Sequence, residues 1–185
     1  MSDAPVFYYD LASPDAYLAA ERIVAVLGTV PEFVPVALGG PDGFRCAEEL
    51  EIYKADVERR AAAYGVMPLR WPAELPPDSA WAMLVATYAK QGGRVVAYSM
   101  AAFRQAFAAG RDLGDRDTVL IAAAAAEMHP AAVLKGAELR SIRTRLETAT
   151  ADARAAGVLG VPAVRIGERV FHGDGELELA AGALA

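Results

Sequence analysis

The chain has 185 residues, a formal net charge of −6, and a composition 55% hydrophobic and 23% charged. Length and apolar content suit one soluble domain with a sizeable core, and the acidic balance argues against a general nucleic-acid or anionic-membrane surface. No basic, apolar leader precedes Val6, so a cytoplasmic location is expected, and a single cysteine, Cys46, cannot form an internal disulfide.

Val6–Leu11 reads as a short buried strand of branched and aromatic residues. A helix start follows: Ser13 as N-cap, Pro14 at the first helical position and Asp15 in the first turn. Apolar positions Tyr17, Leu18, Ile23 and Leu27 give a helix over Pro14–Leu27, with Gly28 as its stop. Ser13 therefore sits where backbone N–H groups and the positive end of a helix dipole converge and favour an anion. Val30–Leu38 is an extended segment with Val34 and Val36 in a period-two rhythm.

Helix-like segments punctuated by Gly and Pro come next, near Cys46–Tyr64, Ser79–Gln91, Val95–Ala109, Asp115–Glu127 and Pro130–Ala156, the last broken near Gly136. Ser79 and Asp115 to Asp117 suit helix caps, and the Gly39-Gly40 and Gly92-Gly93 pairs are turns without phosphate-loop spacing. The apolar run Val119–Ala126 is too short to span a bilayer. Pro162 lacks a ladder donor and belongs at the start of a strand Ala163–Ile166. A turn at Gly167-Glu168, a strand Arg169–Phe171 and a terminal helix from about Gly175 complete the chain. The sum is an α/β protein: one domain over 1–185, a four-stranded mixed sheet with flanking helices, carrying an all-helical insertion at about 42–156.

His129 and His172 lack metal-ligand spacing, and no metal is expected. A triad of Ser13, His172 and Asp174 can be written down, but no nucleophile elbow accompanies it. Cys46 reads as a partly buried or incidental cysteine, since nothing nearby would lower its pKa. Trp71, Trp81, Tyr88, Phe103 and Phe107 read as the core of the helical insertion and one wall of a pocket.

Phe7 to Ala19 resembles the strand, Ser-Pro, helix signature of the 2-hydroxychromene-2-carboxylate isomerases and kappa-class glutathione transferases, thioredoxin-like proteins of the DsbA lineage with a helical insertion. Tyr53–Ala61 with Tyr64-Gly65-Val66 and Pro68-Leu69, then Leu75–Ser79, Gly157–Ala163 and Val170–Asp174, resemble later segments of the same pattern in the same order. Gly160-Val161-Pro162 resembles the cis-proline loop that faces the active site in such folds. The resemblance implies a thiol-dependent enzyme. Ser13 would favour the thiolate of glutathione or another low-molecular-weight thiol. Pro14, Val161 and Pro162 would line the ligand, and Asp174 would meet the γ-glutamyl end. The substrate would be a small aromatic or electrophilic molecule, and dimerisation occurs in the resembling family. Ser13-Pro14-Asp15-Ala16 holds no sulfur, which excludes dithiol exchange there. Three positions depart from the pattern: Glu49 replaces a lysine, Gly175-Glu176 replaces an Asp-Arg pair, and no asparagine stands in Gly39–Arg45. Each makes the site less cationic, which leaves a second expectation open, a non-catalytic binding protein of the same fold.

Overall fold

Successive side chains of a strand point to opposite faces, and the first strand shows the consequence. Phe7 and Tyr9 enter a large cluster with Tyr17, Phe33, Phe103 and Phe107, whereas Val6 and Tyr8 join a smaller one with Val36, Ala153, Val158 and Ala163. These contacts come from a computed structural model that describes residues 4–41, 43–66 and 69–184; Asp42, at the expected start of the insertion, and Pro68, in the loop after its first helix, lie outside the described residues. Both faces of the sheet are thus covered, as a strand apolar on each side requires.

The sheet has four strands in the order β2-β1-β3-β4. β1 (Val6–Tyr9) runs parallel to β2 (Glu32–Pro35) and antiparallel to β3 (Ala163–Ile166), which pairs with β4 (Arg169–His172). β1 is shorter than the expected Val6–Leu11 because Asp10 leaves the ladder. Its carboxylate accepts the Ala12 N–H at 3.0 Å, and its carbonyl accepts the Ser13 N–H at 3.1 Å, so the chain turns at once. β2 occupies only the middle of the expected Val30–Leu38 segment. β3 begins one residue after Pro162, as the missing N–H demands.

α1 (Pro14–Leu27) follows β1, and α2 (Ala47–Tyr64), α3 (Ala80–Gln91), α4 (Val95–Phe103), α5 (Arg116–Ala125), α6 (Pro130–Ala137) and α7 (Arg140–Ala155) fill the interval between β2 and β3. α8 (Leu177–Gly182) closes the chain after a 3₁₀ turn at Asp174–Glu176, so the terminal helix starts two residues later than expected. The expected helix Val95–Ala109 is α-helical only to Phe103 and then opens into a π-helical turn, Arg104–Ala108. The break near Gly136 falls at Glu138-Leu139. Phe103 and Phe107 are core residues, while Trp71, Trp81 and Tyr88 are half-buried. No single helix among the described residues is long and apolar enough to cross a membrane.

Gly136 lets α6 approach α3: a Cβ there would collide with the Tyr88 ring. Gly136→Ala is expected to destabilise the protein, because overpacking of about 1–3 kcal/mol outweighs a helix-propensity gain of about 1 kcal/mol. A lower urea midpoint that Tyr88→Ala partly restores would confirm the clash; an unchanged midpoint would refute it.

Candidate functional site

The register of the sheet decides what meets at its end. Tyr8 is opposite Ala163 in an antiparallel pair, so the end of β1 meets the start of β3. The Gly173 N–H donates to the Pro162 carbonyl at 2.9 Å, which brings the segment after β4 to the same place. The start of α1, the Val161-Pro162 loop and Asp174 therefore share one end of the sheet.

Ser13 is the N-cap of α1, and its Oγ accepts the Ala16 N–H at 3.1 Å. Accepting this bond leaves the hydroxyl free to donate its proton. The side chain is buried, 1% exposed, and Pro14 is buried beside it at N1. The Val161-Pro162 peptide bond is cis, and neither backbone polar group of Val161 has a backbone partner among the described residues.

Asp174 lies against α2. It is 3% exposed, and its Oδ1 is gripped by Arg60 of α2. The same guanidinium bonds Asp15 at 2.6 Å and Asp56 at 2.9 Å, so one cation serves three carboxylates. The Tyr53 hydroxyl donates to Asp15 at 2.7 Å, and burial together with the Asp15 charge pushes that phenol far above its usual range. Burial also raises the Asp174 carboxyl, with Arg60 pulling the other way. Arg22 lies 3.5 Å over the Tyr64 ring and donates to the Asp174 carbonyl at 3.1 Å. Sequence reasoning missed Arg60. The signal was present: Tyr53, Asp56, Arg60 and Tyr64 follow helical three- and four-residue spacing and share one face of α2.

The positions that depart from the family pattern are tied up internally. Glu49 accepts both the backbone N–H of Arg45 (2.8 Å) and its guanidinium, and the hydrogen bonds from Arg45 hold the Glu49 carboxyl below its usual value. Lys54 pairs with Glu51, and Glu176 accepts the His172 N–H at 2.8 Å. The His172 Nε2 accepts the Leu159 N–H at 3.1 Å, which pins the loop before Val161. With Asp174 on Arg60 and His172 on Leu159, no hydrogen bond links Ser13, His172 and Asp174 as a triad. Cys46 is exposed rather than partly buried, and His129 caps α6 through Nδ1. Among the described residues no cluster of His, Cys, Asp or Glu is arranged to hold a metal ion.

Asp10 was not singled out by sequence reasoning either. It is buried, its Oδ1 accepts the Ala12 N–H and the Ser79 hydroxyl (2.8 Å), and its Oδ2 accepts the Gly39 N–H at 2.7 Å. Ser79 thus gives its hydroxyl to Asp10 instead of capping α3, and Asp78 accepts the Ala80 N–H in its place. Burial raises the Asp10 carboxyl above its usual range, against the pull of these hydrogen bonds. A cavity of about 450 Å³ opens beside Ala12. A second of the same volume lies between β2, α3 and α7, remote from Ser13.

Residues 6–185 match the family of DSBA-like thioredoxin domains. The chain belongs to that family. No curated protein matches this DsbA-like sequence. Among solved structures, a 2-hydroxychromene-2-carboxylate isomerase superposes with a TM-score of 0.87 at 21% identity, covering 98% of this chain and 94% of the other. The cytosolic disulfide reductase DsbM from Pseudomonas aeruginosa superposes at 0.67 with 15% identity, covering 98% and 95%, and a structure of DsbM with GSH at 0.67 with 14% identity, over the same shares. Identities this low bear on fold alone, and the fold is the expected thioredoxin-like mixed sheet with a helical insertion. This DsbA-like chain has no sulfur at the start of α1, where Ser13-Pro14-Asp15-Ala16 stands.

Proposed function

We propose that this DsbA-like protein is a thiol-dependent isomerase or transferase that acts on a small aromatic or electrophilic compound, in the manner of the 2-hydroxychromene-2-carboxylate isomerase it resembles. The observation that carries the reading is the Ser13 hydroxyl at the start of α1, accepting the Ala16 N–H with its proton free, at the end of the sheet that also holds the Val161-Pro162 loop. A bound thiol supplies, as its thiolate, a nucleophile toward an unsaturated or electrophilic centre. The chain's own contribution is threefold. Ser13 donates to the sulfur, the α1 N-terminus favours its negative charge, and the Val161 backbone pairs with a peptide-like segment. Glutathione or another low-molecular-weight thiol fits that donor set at its sulfur and its peptide. Of the cations that could meet its carboxylates, Arg45, Lys54 and Arg60 are paired with Glu49, Glu51 and Asp174, whereas Arg70 is exposed and in no ion pair among the described residues. A cytoplasmic setting suits this chemistry, because thiols are kept reduced there.

The burial of Ser13 and the internal Asp174–Arg60 pair favour a second reading, a non-catalytic binding protein of the same fold. Because Ser13 is buried, a thiol reaches it only if neighbouring segments yield. Calorimetric titration with glutathione and with cysteamine separates the two readings. Ser13→Ala is expected to weaken thiol binding by tenfold or more, since a hydrogen bond to a charged group contributes about 1.5–3 kcal/mol. It also removes a helix cap, at about 0.5–2 kcal/mol of stability. Binding unaffected by the substitution would remove Ser13 from the mechanism, and no binding of either thiol would select the second reading.

A further inference from the structure

The cavity beside Ala12 lies one residue from Ser13, and its chemistry is one-sided. Its walls are apolar: Ala12, Pro76, Pro77 and Met83. Among the described residues its ionisable linings are acids, Asp10, Glu74 and Asp78, with no Lys, Arg or His. Gly40 keeps the loop after β2 against the Ala12 carbonyl and Pro76, where any Cβ would collide with both, so the wall next to Ser13 is built of closely packed backbone. At about 450 Å³ the cavity falls in the range that takes a small ligand.

Arg45 and the cations of α2 are not among the described residues that line the cavity. Arg45 is committed to Glu49, Lys54 to Glu51, Arg59 to Asp56, and Arg60 to Asp15, Asp56 and Asp174. A carboxylate entering the cavity would meet like charges in a partly desolvated space, where repulsion is stronger than in bulk water. We propose that this cavity is the second-substrate pocket of the thiol chemistry and that it selects an uncharged or cationic molecule with an apolar body, rejecting carboxylates. The inference rests on the thiol-dependent reading for the role of the pocket. The charge selectivity stands on the cavity alone.

Benzoate, benzamide and benzamidine form a probe series of nearly constant shape and charge from negative to positive. Ligand-observed NMR and calorimetry on the full chain, without thiol, are expected to rank benzamidine and benzamide above benzoate by about tenfold at low ionic strength, with the gap narrowing as salt screens it. The double variant Glu74→Gln, Asp78→Asn is expected to shrink the gap severalfold. Both side chains are exposed, and asparagine retains the oxygen that accepts the Ala80 N–H, so the fold is kept. Benzoate bound as well as benzamide, no binding of any probe, or a gap unmoved by the double variant would each overturn the inference. Failure of the thiol titration with the probe ranking intact would instead count against the thiol-dependent reading.

Discussion

Arg60→Met is expected to lower the unfolding free energy by about 3–5 kcal/mol near neutral pH, the magnitude for removing one partner of a buried ion pair. Arg60 is four-fifths buried and is the shared partner of Asp15, Asp56 and Asp174. Methionine fills similar volume but leaves Asp174, 4% exposed at its side chain, as a buried charge with no cation. The pH dependence follows from the direction of the Asp174 shift. A carboxyl raised in the folded state contributes stability that is fully present below its unfolded pKa and is lost as pH rises through the folded value. Removing Arg60 raises that folded value further, so the deficit should be largest well above the carboxylate range and shrink on acidification. Arg60→Lys should recover part of it, because an ammonium keeps the charge but cannot fork to three carboxylates. Urea unfolding of the three proteins at several pH values measures this. A deficit under about 1 kcal/mol, the size of an exposed pair, would show that the network contributes little.

The frame of the protein was legible because local signals and tertiary packing agree along it. Ser13-Pro14 sets the start of α1, Gly28 ends it by donating to the Val24 carbonyl, and Pro162 fixes where β3 can begin. The legible parts of the site are those made from one segment at a time. What the sequence hid are side chains whose partners lie far along the chain. The pairing of Asp174 with Arg60, 114 residues earlier, left no local signal. Ser79 has the composition of a helix cap, yet a carboxylate 69 residues away claims its hydroxyl. The acids at Glu49 and Glu176 read as losses from a cationic pocket. Folded, they hold Arg45 and the His172 backbone, so the loss of positive charge is built into the local structure.

Asp10→Ala is the second large effect. The substitution strands three donors at once, the Ala12 and Gly39 N–H groups and the Ser79 hydroxyl, each worth about 1–3 kcal/mol when buried without a partner. Gly39 is exposed and can turn to water, so the expected loss is about 3 kcal/mol rather than the full sum. Ser79→Ala should cost about 1 kcal/mol, and the pair of changes should be less than additive because they share one hydrogen bond. Asp10→Asn keeps an acceptor for Ala12 and Ser79 but sets an amide N–H against the Gly39 N–H. Its pH signature differs from the wild type's. Burial raises the folded Asp10 carboxyl, so the wild type's advantage over Asp10→Asn should be greatest below the ordinary aspartate range and decline as pH rises through the raised value. These segments are the turn that delivers Ser13, the loop after β2 and the start of α3, so loosening them acts on the helix start and the adjoining cavity together. Hydrogen exchange at Ala12 and Gly39 should therefore accelerate in Asp10→Ala, and thiol affinity should fall with it. Exchange unchanged at both amides would mean that the carboxylate does not hold the turn.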